Sequence, residues 1–145
     1  MLEVRETAHT ALREARELAR GYRPTNLTQE LEGARSLLGS AGIEARIDVS
    51  GVPDSLEEPA AWTVREAVTN VLRHSAATWV AITWSAPHLD IENDGAPDTD
   101  PGTGAGLNGL RERLAPSGGS IEAGSTGGTF RLRARLPHPD DPEQP

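Results

Sequence analysis

Apolar positions recur along this chain in two rhythms, one of a helix and one of a strand. From about Leu2 to Arg20, the residues Leu2, Ala8, Leu12, Ala15, Leu18 and Ala19 form a sparse stripe among Glu and Arg. That predicts a charged helix whose small residues suit helix-on-helix packing. Tyr22-Arg23-Pro24 stops it, because the residue before a proline disfavours helical geometry. Thr25 or Asn26 then caps a second helix, in which Leu27, Leu31, Ala34, Leu37, Leu38 and Ala41 keep helical spacing. Gly39 and Gly42 bracket its end. Ile43, Ala45, Ile47 and Val49 alternate with polar residues and predict a strand over Glu44–Val49. After a turn at Gly51–Asp54, a third helix begins near Leu56 or Pro59 and ends near His74 or Ser75.

The second half is mostly strand. Thr78–Ser85 is rich in β-branched and aromatic residues and reads as a central strand. Pro87-His88 turns the chain into a strand over Leu89–Glu92. Asn93–Gly109 is glycine, proline and acid with almost no apolar side chain, which predicts a loop. Leu107, Leu110 and Leu114 mark a short helix. Ser120–Ala123 extends, Gly124–Gly128 turns, and Thr129–Leu136 alternates cleanly as a strand with one polar face. The tail from Pro137 is proline and acid, and predicts disorder. Helices first, then antiparallel strands with one helix among them, imply a two-layer α+β sandwich.

Composition narrows the function more by exclusion than by signal. The 145 residues suffice for one domain with a sizeable core. The net charge of -8, and the lack of any Arg-rich run, argue against nucleic acid and anionic membrane as partners. One Phe and one Tyr supply no stacking surface for single strands. Without cysteine there is neither disulfide nor thiolate metal site. No apolar run reaches a membrane span and no signal-peptide pattern opens the chain, so a cytoplasmic setting is expected.

Three segments carry candidate chemistry. In Arg65–Ser75, Glu66 and Asn70 stand four residues apart, with Arg73 and His74 one turn further on. On a helix these fall near one stripe, opposite Val64, Val68, Val71 and Leu72. A base-capable carboxylate, a metal-capable amide and two cationic or proton-bearing groups suit an Mg-nucleotide; a polar surface helix would have the same spacing. Gly102, Gly104, Gly106 and Gly109 form a loop leading into a helix. Such a loop lets a backbone approach phosphate, and a helix N-terminus offers unpaired N–H groups. A Rossmann reading fails because no strand directly precedes the first glycine. A Walker loop fails because the chain has no lysine. Asn93-Asp94-Gly95 follows a strand, where a side-chain oxygen could accept from an adenine amino group; an ordinary turn uses the same letters.

The order of these segments is more specific than any of them. Glu66…Asn70-x-x-Arg73-His74-Ser75, then Asn93-Asp94-Gly95, then Gly104-x-Gly106-Leu107-x-Gly109-Leu110, then Gly127-Gly128-Thr129-Phe130, resembles the ATP-binding catalytic domain of bacterial sensor histidine kinases. The likeness runs from about Thr25 to Pro137 and is strongest to the nitrate-sensor and membrane-fluidity-sensor subfamily, within the GHKL ATPases. It implies a mixed sheet packed on helices with a short nucleotide lid, and ATP and Mg²⁺ as ligands. It further implies that Asn70 holds the metal and that Glu66 orients or deprotonates the attacking group, or positions a metal-bound water. Arg73 and His74 would lie near the phosphates, which Gly104, Gly106, Leu107 and Gly109 would cradle. Asn93, Asp94 and Gly95 would form the adenine end, with Thr129 beneath the base.

Asn93 stands where the family has an acid, and Pro97 where it has a second glycine. By the same likeness, residues 1–22 resemble the end of a dimerisation helix, 23–137 the catalytic domain and 138–145 a tail. None of His9, His74, His88 and His138 is followed by an acid, so the chain lacks the acceptor histidine pattern. The implied partners are a separate phosphoacceptor domain and a response regulator, the parent protein being open to an inner-membrane anchor. A GHKL anti-sigma-factor or serine kinase, and a non-catalytic module on a degenerate ATPase scaffold, are the alternatives.

Overall fold

The computed structural model describes residues 26–96 and 105–137. The expected helix over 2–20, the domain 1–22, all but the first residue of the lid expected over Ala96–Thr103, Gly104 and the tail 138–145 lie outside them. Asn26 caps helix α1 (Leu27–Ser40), its side chain accepting from Gln29 N–H at 3.3 Å. Leu27, Ala34 and Leu38 are the buried stripe of α1. A single 3₁₀ turn at Asp54–Leu56 leads into α2 (Glu57–His74), with Pro59 in its first turn, where a missing N–H costs nothing. Arg73 and His74 close the last turn, where the Arg73 charge meets the negative end of the helix dipole. Helix α3 (Ala105–Leu114) begins two residues before the first leucine that marks it.

Among the described residues, five strands form one sheet in the order β1-β2-β3-β5-β4: β1 (Glu44–Asp48), β2 (Trp79–Ser85), β3 (His88–Asn93), β4 (Ser120–Thr126) and β5 (Thr129–Arg135). Only β1 and β2 run parallel; the other three pairings are antiparallel. β2 is interior, as its composition predicts. Gly124 departs from expectation: it sits inside β4 opposite Arg131, and only Gly127 and Gly128, at φ 59° and 83°, make the hairpin turn. β1 is short and carries Glu44, Arg46 and Asp48 on one face, with the Arg46 guanidinium 5.0 Å from the Trp79 ring centroid. Of the described helices, none is long and apolar enough to cross a membrane.

The core lies between the helices and one face of the sheet. Val80, Ile82, Leu89, Ile91, Leu132 and Ala134 point inward there against Val64, Ala67, Val68, Leu107 and Leu114. The architecture is the two-layer α+β sandwich. The opposite sheet face is wet and charged. Asp90 sits opposite Arg133 and takes both its Nε and Nη2, at 2.8 and 3.0 Å, while Arg131 reaches Asp90 and Glu92, each at 3.3 Å.

Burial alone would raise the Asp90 carboxyl, but the Arg133 and Arg131 guanidiniums outweigh it and hold it below the ordinary 3.8. Unfolded chain therefore takes up this proton at a higher pH than folded chain does. The ladder contributes fully above the ordinary value, and its contribution drains away as pH falls through the folded one. Asp90→Asn is expected to cost about 1 kcal/mol at pH 7. It should also flatten the fall in melting temperature below about pH 4. Acid melts of the two proteins that run parallel would refute this.

Candidate nucleotide site

Alternation along β3 sends Leu89, Ile91 and Asn93 to the helix side, so the strand ends by placing an amide where a core residue is expected. Asn93 is 2% exposed, opposite Phe130 of β5, which is 8% exposed. Above them passes the last turn of α2. Asn70, Val71, His74 and Ser75, with Asn93, Ala96 and Phe130, line a narrow open cleft of about 20 Å³, room for one water. Its walls are largely apolar, and one buried amide lies at the bottom.

The Asn93 amide has a fixed sense. Its Nδ2 donates to the Asp94 carbonyl at 2.7 Å, which leaves Oδ1 for another donor. Asp94 is otherwise engaged. Its carboxylate accepts from the Thr78 N–H at 2.7 Å, the Trp79 N–H at 3.0 Å and the Thr78 hydroxyl. These bonds, the Thr78 hydroxyl foremost, hold its carboxyl below the usual aspartate value. Gly95, at φ 67°, presses onto the backbone of Ala76 and Ala77, and its carbonyl accepts from the Ala76 N–H at 3.0 Å.

A second opening, about 310 Å³, lies between α2 and α3 and is lined by Trp62, Arg65, Glu66, Gly106, Gly109, Leu110 and Arg113. Gly106 touches the Glu66 carboxylate so closely that a methyl group there would overlap it. The Arg113 guanidinium stands 5.3 Å from the Trp62 ring centroid. Glu66, Asn70 and His74 follow one another at single-turn spacing along α2 and join the two openings.

Not every expected residue comes to these openings. Arg73 is exposed and lines neither. The Leu107 side chain is 1% exposed in the core, so only its backbone can meet a ligand. Thr129 shares the outer face of β5 with Arg131 and Arg133, away from Asn93. The Asp94 carboxylate faces Thr78 rather than the cleft. Phe130, Val71 and Ala96 were missed; the alternation through Thr129–Leu136 already assigned Phe130 to the apolar face.

No family model matches the chain. It is 32% identical over 137 residues to the sensor histidine kinase YvfT of Bacillus subtilis, covering 88% of this chain and 37% of that protein. It is 28% identical over 146 residues to the sensor histidine kinase DesK of the same organism, covering 93% and 39%. Among solved structures, a histidine kinase domain from the blue-light activated kinase of Erythrobacter litoralis superposes with TM-score 0.60, at 16% identity, covering 77% of this chain and 58% of that one. The chain is a homologue of the sensor histidine kinases, folded as their catalytic domain. The ATP-binding domain of PrrB from Mycobacterium tuberculosis is similar too, with TM-score 0.56 and 20% identity over 81% of this chain and 97% of that one. The chain thus spans well under half the length of these two curated sensor kinases and most of the length of an isolated ATP-binding domain.

Proposed function

We propose that this chain binds Mg-ATP in the cleft between α2 and the end of β3 and donates the γ-phosphoryl to a histidine on a separate dimerisation domain, for relay to a response regulator. The observation that carries the reading is the buried Asn93 at the end of β3, which lines one apolar cleft with Asn70, on the α2 stripe that also carries Glu66. Val71, Ala96 and Phe130 offer apolar surface to a planar base, which must part them to enter, and the amino group of that base can donate to Asn93 Oδ1. From there a triphosphate can run past Asn70 toward the N-terminus of α3. The N–H groups of the first turn, at Gly106 and Leu107, have no acceptor within the helix and suit its charge.

No hydrogen bond among the described residues engages the Asn70 amide, and no cluster of three acids or histidines offers a metal cage there. That donor set fits Mg²⁺, which commonly takes one or two protein oxygens and completes its shell with phosphate and water. When bound, the metal neutralises charge on the phosphates during transfer. Glu66, packed on Gly106 at the mouth of the second opening, is the group positioned to orient or deprotonate an incoming acceptor. His74 belongs to the adenine end, and Asp94 supports the site from outside. The whole domain, on this reading, works in the cytoplasm within a longer kinase.

Calorimetry with a non-hydrolysable ATP analogue tests the proposal. Binding is expected in the micromolar to millimolar range, because a neutral amide replaces a charged acceptor, and it should be tighter with Mg²⁺ than without. No heat at millimolar analogue would overturn it.

A further inference from the structure

An asparagine that reads a purine faces a problem a carboxylate does not. Turning its amide by half a revolution exchanges an acceptor for a donor. Oδ1 toward the cleft accepts from the amino group at position 6 of adenine. Nδ2 toward the cleft would donate to the oxygen at position 6 of guanine. An unrestrained Asn93 could therefore serve both bases.

Here the amide is restrained. The Asp94 carbonyl stands 2.7 Å from Nδ2, and the flipped amide would set Oδ1 against that oxygen, two acceptors without a proton between them. The restraint is only as firm as the carbonyl, and the carbonyl is fixed from outside. The Asp94 carboxylate takes three hydrogen bonds, two from Thr78, on the segment that joins α2 to β2, and one from Trp79, the first residue of β2. Gly95 is seated on the same segment through the Ala76 N–H and a close backbone approach. The end of β3 is thereby bolted to the loop that follows the Asn70–His74 turn.

We infer that Thr78 and Asp94 are positioning residues for purine selection. By clamping the Asp94 carbonyl they hold Asn93 with its oxygen toward the cleft and so favour adenine over guanine nucleotides. This rests on the nucleotide reading of the cleft, and it adds a selectivity device in residues that touch no base.

The test is a double-mutant cycle read as a ratio of affinities. The probes are non-hydrolysable ATP and GTP analogues with Mg²⁺, titrated into this chain by calorimetry. Thr78 is exposed, so Thr78→Val should leave the fold intact, which melting curves would establish. The variant is expected to narrow the adenine-to-guanine preference by about fivefold to tenfold, chiefly by tightening guanine binding. Thr78→Ser keeps the hydroxyl and should retain the preference. Asp94→Asn, which keeps the size but loses the paired acceptors, should narrow it as Thr78→Val does. In an Asn93→Asp background there is no amide left to turn, so Thr78→Val should leave the ratio unchanged.

An unchanged ratio in folded Thr78→Val and Asp94→Asn, with the unaltered chain binding the ATP analogue, would overturn the inference and leave the nucleotide reading standing. So would an equal shift in the Asn93→Asp background, which would make the clamp a general support. If the unaltered chain binds neither analogue, both readings fall together.

Discussion

Replacing Gly95 by alanine is expected to destabilise the domain by about 2–4 kcal/mol and to lower its melting temperature by about 10 °C or more. Two costs add. At φ 67° a side chain is strained whatever surrounds it. A Cβ would also collide with the carbonyl of Ala76 and approach Ala77 N at 2.9 Å, and these are backbone atoms that no rotamer can move aside. Relief requires pulling the end of β3 off the loop after α2, which breaks the Ala76–Gly95 hydrogen bond and disturbs the three that Asp94 accepts. Gly42 separates the two costs. Its φ is 76°, yet nothing lies within 4 Å of a Cβ built there, so Gly42→Ala should show the backbone strain alone, about 1 kcal/mol. Denaturant melts of both variants check this. Equal losses would mean that the packing of Gly95 on Ala76 contributes nothing.

The largest effect on activity is expected at Asn70. Asn70→Asp keeps the shape of a half-buried side chain that has no hydrogen-bond partner among the described residues, so melting should shift little. Phosphoryl transfer, assayed with a phosphoacceptor domain supplied, is expected to fall on the order of 100-fold. The amide oxygen is a neutral ligand; a carboxylate changes the charge of the metal site and places a second acid one turn from Glu66. Nucleotide affinity and transfer should therefore respond to Mg²⁺ differently in the two proteins. Full transfer by the variant would remove Asn70 from the metal site.

Much of this was legible in the residues because burial follows short periods. The valines at 64, 68 and 71 fix the inner face of α2, and with it the opposite stripe of Glu66, Asn70 and His74. Alternation through Thr129–Leu136 fixes β5, and followed strictly it also sends Thr129 outward and Phe130 in. The start of α3 was hidden because Ala105 and Gly106 carry no apolar side chain to keep a rhythm. Gly124 looked like a turn because glycine commonly marks one, yet its pairing with Arg131 is a matter of register between two strands. The division of labour between Asn93 and Asp94 could not be read locally. It depends on Thr78, sixteen positions away in sequence and a hydrogen bond away in space. Such long-range choices lie outside any pattern of neighbours.

The short first strand has its own consequence. A β-sheet can recruit a foreign strand at its rim, and β1 is one rim of this one. It offers five residues, three of them charged, and Arg46 is drawn back over Trp79 instead of lying flat. An intruding chain would gain few ladder bonds there and would have to strip water from Glu44 and Asp48 to form them. Among the described residues the β1 rim is thereby a poor template for a foreign strand, which leaves β4 as the rim more open to one.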